Sequence, residues 1–279
     1  MTLLTLQAPA KLNLNLRVLG KRGDGFHEIE TLMVKLPGLA DQLDFQESEK
    51  FSFHCDDPAI PGDETNLVVK AVRAYQNATG QPCRYKLNLK KSVPHGAGLG
   101  GGSSDAAVTL LGLNRLHGHA LAVEALIELA ATLGSDVPFF LRSGAAICTG
   151  RGEKIAQVPS PPLLRVMLFK PQFSVGTPDA YQRWQESAEI PSITYAAQTV
   201  AGVSFFNELE RPVFQKHRFL AELKQWLLMR NDTSAALMSG SGSTIFAILT
   251  KDAQAEMIAK AAHLELDPHL WTWHGTTEM

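Results

Sequence analysis

Five glycines fall within seven positions: Gly96, Gly98, Gly100, Gly101 and Gly102. A stretch so poor in side chains leaves backbone N–H groups uncovered. It runs straight into Asp105-Ala106-Ala107-Val108-Thr109-Leu110-Leu111, which reads as a helix start. Uncovered amides beside the positive end of a helix dipole make an anion cradle suited to phosphate. The alternative is a flexible turn or a close helix–strand contact, although each ordered glycine costs about 0.5–1 kcal/mol and a run of them needs a reason. Two named patterns compete for the segment. Gly96, Gly98 and Gly101 fit G-x-G-x-x-G, but Pro94 interrupts the approach from the strand, and Leu121 to Val123 supply no acid at the expected distance. The pattern G-x-x-x-x-G-K-[ST] fails because no lysine lies between Gly96 and Ser104. A cation for bound phosphates must come from elsewhere in the chain.

Apolar periodicity predicts the elements that hold this loop. Leu12, Leu14, Leu16 and Val18 alternate with Asn13, Asn15 and Arg17, the signature of a half-buried strand whose polar face carries Lys11, Asn13, Asn15 and Arg17. Lys21-Arg22-Gly23-Asp24-Gly25 follows as a turn. Strand-like pieces surround Phe45 and Phe51/Phe53, and Leu67, Val68, Ala71, Val72 and Tyr75 repeat at helical spacing. Tyr85, Leu87 and Leu89 alternate with charged or polar neighbours in a strand that leads to the glycines. Ser103 or Ser104 is the expected N-cap of the helix beyond. A second helix is predicted near Leu121 to Leu133 and stops at Gly134, after which Ser135-Asp136-Val137-Pro138 opens a short helix through Phe140. Gly150-Arg151-Gly152-Glu153 reads as a hairpin turn in preference to a diphosphate contact for Arg151. The proline cluster at Val158-Pro159-Ser160-Pro161-Pro162 marks the expected domain boundary, dividing the chain into residues 1–160 and 161–279. Beyond it come a strand around Leu164, Val166 and Leu168, a helix from Phe219 to Leu227, a strand from Thr244 to Leu249 and a helix from Ala253 to Ala262. Both halves are thus α+β.

Composition narrows the function classes. The chain has 279 residues, 45% of them apolar and 19% charged, which argues against wholesale disorder, and the length corresponds to about two domains. The balance of 26 Lys+Arg against 28 Asp+Glu, a net charge of −2, gives no basic field for nucleic acid. Cys55, Cys83 and Cys148 lack zinc-site spacing and fit buried thiols in a reducing compartment. Pro9 and Lys11 interrupt the first apolar stretch before it reaches signal-peptide length, and no window of about eighteen residues is apolar and uncharged. A cytoplasmic protein with neither a cleaved leader nor a membrane span is expected.

Three ordered motifs then carry a resemblance. Pro94-His95-Gly96-Ala97-Gly98-Leu99-Gly100-Gly101-Gly102-Ser103-Ser104 resembles the phosphate-binding motif of the galactokinase, homoserine kinase, mevalonate kinase and phosphomevalonate kinase (GHMP) superfamily. Ala8-Pro9-Ala10-Lys11-Leu12-Asn13-Leu14 is similar to its first motif, and Met238-Ser239-Gly240-Ser241-Gly242-Ser243-Thr244 to its third. The triple glycine before Ser103-Ser104, Gly25-Phe26-His27-Glu28 and Gly134-Ser135-Asp136-Val137-Pro138-Phe139-Phe140 resemble the branch whose acceptor alcohol is 4-diphosphocytidyl-2-C-methyl-D-erythritol. The resemblance runs from about residue 6 to 249.

It implies a two-lobed GHMP fold, with an N-terminal lobe like ribosomal protein S5 domain 2 and a ferredoxin-like C-terminal lobe. The implied activity is transfer of phosphate from ATP to the 2-hydroxyl of that alcohol, on the route to isoprenoid precursors. Residues Pro94, His95, Gly96, Ala97, Gly98, Leu99, Gly100, Gly101, Gly102, Ser103 and Ser104 would bind ATP, with Mg²⁺ held mainly through its phosphates and no protein metal cage. Asp136 matches the superfamily's catalytic aspartate, although an aspartate ahead of Pro138 also suits a helix N-cap. Lys11 matches the catalytic lysine, although a strand-edge lysine is often merely solvated. His27 would read the cytosine between Phe26 and Tyr181, with Asn13 and Thr177 nearby. The superfamily branch usually has Tyr where this chain has Phe26, which keeps the stacking face and removes a hydroxyl. The resemblance implies small-molecule partners only, with neither nucleic acid nor membrane, in a monomer or homodimer. Kinases for homoserine or mevalonate, which lack a cytosine clamp, are the nearest alternatives.

Overall fold

Strand alternation sets the frame. The computed structural model describes residues 2–278. Strands β1 (Thr2–Asn13) and β2 (Asn15–Lys21) replace the single strand expected around Leu12 to Val18. The chain breaks at Leu14, whose N–H bonds to the Leu32 carbonyl at 2.8 Å. Both strands pair antiparallel with β3 (His27–Glu47), a 21-residue strand that also pairs with Tyr85–Lys90 and Ala145–Gly150. It is long for a strand and survives by bulging: Ala10 faces Leu36 while Pro9 faces Ala40, so Pro37 and Gly38 lie outside the ladder.

The remaining N-terminal elements are β4 (Ser52–Cys55), α1 (Leu67–Thr79), β5 (Tyr85–Lys90), α2 (Gly101–Leu116), α3 (Val123–Leu133), α4 (Val137–Phe140), β6 (Ala145–Gly150) and β7 (Lys154–Val158). Helices α1 to α4 cover one face of the sheet around Phe45, Tyr75, Leu110 and Phe139. Helix α2 approaches so closely that a Cβ at Gly112 would collide with the Phe45 ring.

After the proline cluster come β8 (Arg165–Lys170), α5 (Thr177–Arg183), β9 (Gln198–Val200), β10 (Val203–Asn207), α6 (Glu210–Lys216), α7 (Arg218–Leu228), β11 (Thr233–Met238), β12 (Ile245–Leu249), α8 (Ala255–Glu265) and β13 (Trp271–Thr276). The order β11-β12-β8-β13, with α7 and α8 as crossovers, is the split β-α-β of a ferredoxin-like lobe. Its sheet is buried on both faces. Met167 and Phe169 pack under the helices with Leu223 and Ile258, whereas Val166 and Leu168 meet Leu12, Leu14 and Leu36 of the other lobe. That explains the unbroken apolar run Ile245–Leu249, every residue of which is buried. Strands β9 and β10 extend the N-terminal sheet, with β10 parallel to β2, so chain from beyond the proline cluster returns to the first lobe. None of the described helices is long and apolar enough to cross a membrane. The three cysteines are free; Cys83 and Cys148 are buried, and Cys55 is half-buried.

One buried ion pair fixes where β11 delivers the chain. Lys224 Nζ donates to Glu210 Oε2 and to the Thr194 carbonyl, both at 2.6 Å, and Glu210 Oε1 accepts the Met238 N–H at 2.9 Å. Burial pushes the Glu210 carboxyl up and its lysine partner offsets this. Lys224→Met is expected to cost about 3–5 kcal/mol in urea unfolding, because it strands a buried carboxylate. Lys224→Met with Glu210→Gln should lose clearly less, and equal losses would mean that side-chain packing, not charge, dominates.

Candidate active site

The glycine loop is wedged between the first and third motifs. Leu99 accepts the Lys11 backbone N–H at 2.9 Å, Ala97 accepts that of Thr244 at 3.2 Å, and Gly98 accepts the Ser239 hydroxyl at 3.0 Å. Ala97 and Leu99 point into the core, so the intervening glycines turn the backbone toward the cleft. Gly98 has φ +74°, and a Cβ there would collide with the Ser239 carbonyl. Gly100, at φ +71°, is the N-cap of α2, and a Cβ would lie 2.9 Å from Lys11 Cγ. Neither position tolerates a side chain.

Because the helix begins at Gly101, the expectation that Ser103 or Ser104 caps it is corrected: no side chain caps α2, and its first-turn amides face the cleft uncapped. The earlier start also changes the roles of the two serines. Ser103 lines the cleft, whereas Ser104 falls on the inner face, wholly buried, with a hydroxyl that meets no partner. Of the loop residues from Pro94 to Ser104, Ser104 alone is absent from the cleft wall.

The cleft has a volume of about 740 Å³ and joins the loop to Lys11, Asn13, Phe26, His27, Asp136, Thr177 and Tyr181. Lys11 is buried, donates to Asn13 Oδ1 at 2.6 Å and lies 3.4 Å from Asp136 Oδ2. Asn13 passes the order on: its Nδ2 donates to Thr31 Oγ1 at 2.8 Å, and Thr31 donates to the Asn15 carbonyl at 2.5 Å. The alternating face of β1 therefore does hold Lys11 and Asn13 together, but both are buried, and Lys11 is no solvated edge lysine. Asp136 occupies the N-cap position of α4 yet makes no side-chain capping bond, which leaves its carboxylate free for Lys11 and the cleft.

At the other end, Tyr181 stacks on His27 with ring centroids 5.3 Å apart and 28° between planes, while Trp184 meets His27 edge-on at 6.3 Å. Burial holds the His27 imidazole below its usual range, favouring the neutral ring that can both donate and accept. Phe26 is half-exposed, and the Arg151 guanidinium lies over its ring at 4.7 Å. Phe26, His27 and Tyr181 all line the cleft, with Tyr181 already stacked on His27. Thr177 Oγ1 meets Ser241 Oγ at 2.8 Å, tying α5 to the third motif.

Several wall residues escaped sequence reasoning. Lys91 lines the cleft and bonds to Asp41 and, at 2.8 Å, to Asp105 Oδ2. Asp41 also accepts the N–H groups of Ser92 and Val93 at 2.6 and 2.8 Å, bracing the entry to the loop. The only local sign was Asp105 directly after the serines; Asp41 lies 50 residues away from Lys91. Arg151 sits on the expected hairpin turn between β6 and β7 and lines the cleft as well. Among the described residues no three His, Cys, Asp or Glu side chains cluster as a metal site.

A ferredoxin-like lobe packed on a sheet-and-helix lobe, with a glycine-rich helix start between them facing a lysine–aspartate pair, defines a GHMP kinase. The models for the GHMP kinases N terminal domain and the GHMP kinases C terminal domain match residues 66–144 and 197–265. A 4-diphosphocytidyl-2-C-methyl-D-erythritol kinase of Methylacidiphilum infernorum is 40% identical over 258 residues, 88% of this chain and 86% of that protein. One of Protochlamydia amoebophila is 38% identical over 87% of this chain and 83% of its own. A crystal structure of 4-(cytidine 5'-diphospho)-2C-methyl-D-erythritol kinase superposes with a TM-score of 0.79 at 34% identity, covering 99% of this chain and 100% of that one. Homoserine kinase from Cytophaga hutchinsonii, at 18% identity and a TM-score of 0.67, shares the fold. The chain belongs to the GHMP kinases and, within them, to the 4-diphosphocytidyl-2-C-methyl-D-erythritol kinase family.

The Lys91 cluster yields a pH prediction. Burial raises the Asp105 carboxyl to about 7, only partly offset by Lys91, and its Oδ1 has no partner. Between the unfolded value near 4 and this value the folded state holds a proton that the unfolded chain has lost, so stability falls as pH rises through that window. Asp105→Asn is expected to flatten this decline in melting temperature between about pH 4 and 7. A decline unchanged in the variant would assign it to another group.

Proposed function

We propose that this cleft transfers the γ-phosphoryl group of ATP to the 2-hydroxyl of 4-diphosphocytidyl-2-C-methyl-D-erythritol. The observation that carries the reading is the convergence of three features on one cavity: loop amides for a polyphosphate, a lysine–aspartate pair for a hydroxyl, and an aromatic end for a base. Phosphoryl transfer asks the protein mainly for positioning and charge stabilisation. The uncapped first turn of α2 and the glycine amides receive the ATP phosphates. Asp136 accepts the hydroxyl proton as the new O–P bond forms and the bond to ADP breaks. Lys11, fixed by Asn13, holds the hydroxyl beside Asp136 and favours the developing alkoxide.

Ser103, which lines the cleft next to the loop glycines, would join the shell of a magnesium ion held mainly through the ATP phosphates. When bound, such an ion would supply charge neutralisation at the transferring phosphoryl group. At the aromatic end, Tyr181 stacked behind His27 orients the imidazole, whose hydrogen bonds distinguish cytosine where stacking alone would not. Phe26 offers a stacking face. Thr177, beside Ser241, borders the polyol. Lobes divided near residue 160, a cytoplasmic setting and small-molecule partners, in a monomer or homodimer, complete the reading.

Asp136→Asn is expected to lower kcat about a hundred- to ten-thousandfold, the usual contribution of a general base, while an ATP analogue still binds with wild-type affinity in a calorimetric titration. Lys11→Met should lower kcat by a similar order. Near-normal kcat in either variant would remove that residue from the chemistry.

A further inference from the structure

One substrate charge has no partner yet in this cleft. Two polyanions meet in the cleft: the ATP phosphates have the loop amides and the helix start, but the diphosphate of the cytidylyl substrate has no such cradle. The cleft-lining lysines are already committed, Lys11 to Asn13 and Asp136, and Lys91 to Asp41 and Asp105. The one guanidinium in the described wall is Arg151, whose nearest carboxylate, Glu153 Oε2, lies at 3.8 Å from Nε. Glu153 is also occupied, accepting the Arg151 backbone N–H at 2.6 Å.

The place of Arg151 agrees with its charge. Its hairpin turn touches both ends of the cleft. Gly150 donates its N–H to Glu28 Oε1, beside His27, at 3.2 Å. On the other side a Cβ at Gly152 would stand 3.7 Å from Asp136 Oδ1 and 3.6 Å from Ser135 Cβ. The guanidinium itself lies over Phe26. In the substrate the diphosphate joins the nucleoside to the polyol, so with cytosine at Phe26 and His27 and the hydroxyl at Asp136, the diphosphate spans the stretch that this turn borders. The stack on Phe26 preorganises the side chain without consuming its N–H groups, which lie in the guanidinium plane.

We propose that Arg151 is the substrate-binding residue that receives the diphosphate of the cytidylyl substrate, an assignment resting on the function proposed above. It holds the nucleotide and polyol ends in register, and it distinguishes a nucleoside diphosphate from a bare nucleoside.

The test compares wild-type protein with Arg151→Met and Arg151→Lys, titrating CDP and cytidine separately and measuring both Michaelis constants. Arg151→Met keeps an unbranched side chain of similar length and removes the charge and the N–H donors. It should weaken CDP roughly ten- to a hundredfold, as expected for losing a hydrogen bond to a charged group, and leave cytidine and the ATP Michaelis constant unchanged. Arg151→Lys should restore part of the loss, because an ammonium supplies charge without the fork. Equal weakening of CDP and cytidine would make Arg151 a packing residue of Phe26, and no weakening would make it a plain turn residue; either overturns the assignment alone. Wild-type protein that binds no CDP would instead remove the cytidine reading and the assignment with it.

Discussion

The buried ammonium of Lys11 is the constraint around which the cleft is built. A lysine of 3% exposure must be paired or hydrogen-bonded, and here Asn13 and Asp136 share it. Those partners come from β1 and from the start of α4, and the glycine loop passes over the aliphatic stem at Gly100. The third motif closes the other side: a Cβ at Gly240 would lie 3.4 Å from Lys11 Nζ and 3.1 Å from Asn13 Oδ1. Gly100 is thus hemmed in by the lysine stem, and Gly240, at φ +56°, by the Asn13 amide that holds the ammonium. The buried Glu210–Lys224 pair and Asn207, which donates to the Met238 and Gly240 carbonyls at 2.7 Å, fix the backbone that approaches from the C-terminal lobe.

In the proposed reading, a chain of net charge −2 accommodates two polyanions because loop and helix-start amides, not side-chain charge, meet the ATP phosphates. Lysines that face the cleft are held by carboxylates, which sets them in place and limits their reach. In the proposed division of labour, amides take the ATP phosphates, the Lys11–Asp136 pair takes the hydroxyl and Arg151 takes the second diphosphate. The lobes meet across a shared core in which Leu12 and Leu36 pack against Leu168 and Phe246, so the cleft-lining residues rest on a common support.

What the sequence disclosed depended on distance along the chain. Period-two alternation placed Lys11 and Asn13 on one face, and five close-set glycines marked the loop, because both signals are local. The ferredoxin-like order of the second lobe came with the resemblance; periodicity alone found β8, α7, β12 and α8 but passed over β11 and β13. The length of β3 was hidden by Pro37 and Gly38, which look like a break and form a bulge instead. The capping role expected of Ser103 or Ser104 failed because the helix starts at Gly101, ahead of both serines, and the Ser104 side chain is buried. The Lys91–Asp41–Asp105 cluster and the seat of Arg151 over Phe26 join residues far apart in sequence, which no periodicity reports.

The central claim is that one cleft presents a phosphorylated nucleotide to an alcohol that itself carries a nucleotide. The most direct measurement is alcohol-dependent ADP formation with 4-diphosphocytidyl-2-C-methyl-D-erythritol, homoserine and mevalonate, assayed side by side with ATP and Mg²⁺. The account predicts turnover with the cytidylyl alcohol and none above background with the other two. Comparable turnover of homoserine or mevalonate, or no ADP from the cytidylyl alcohol, would contradict it.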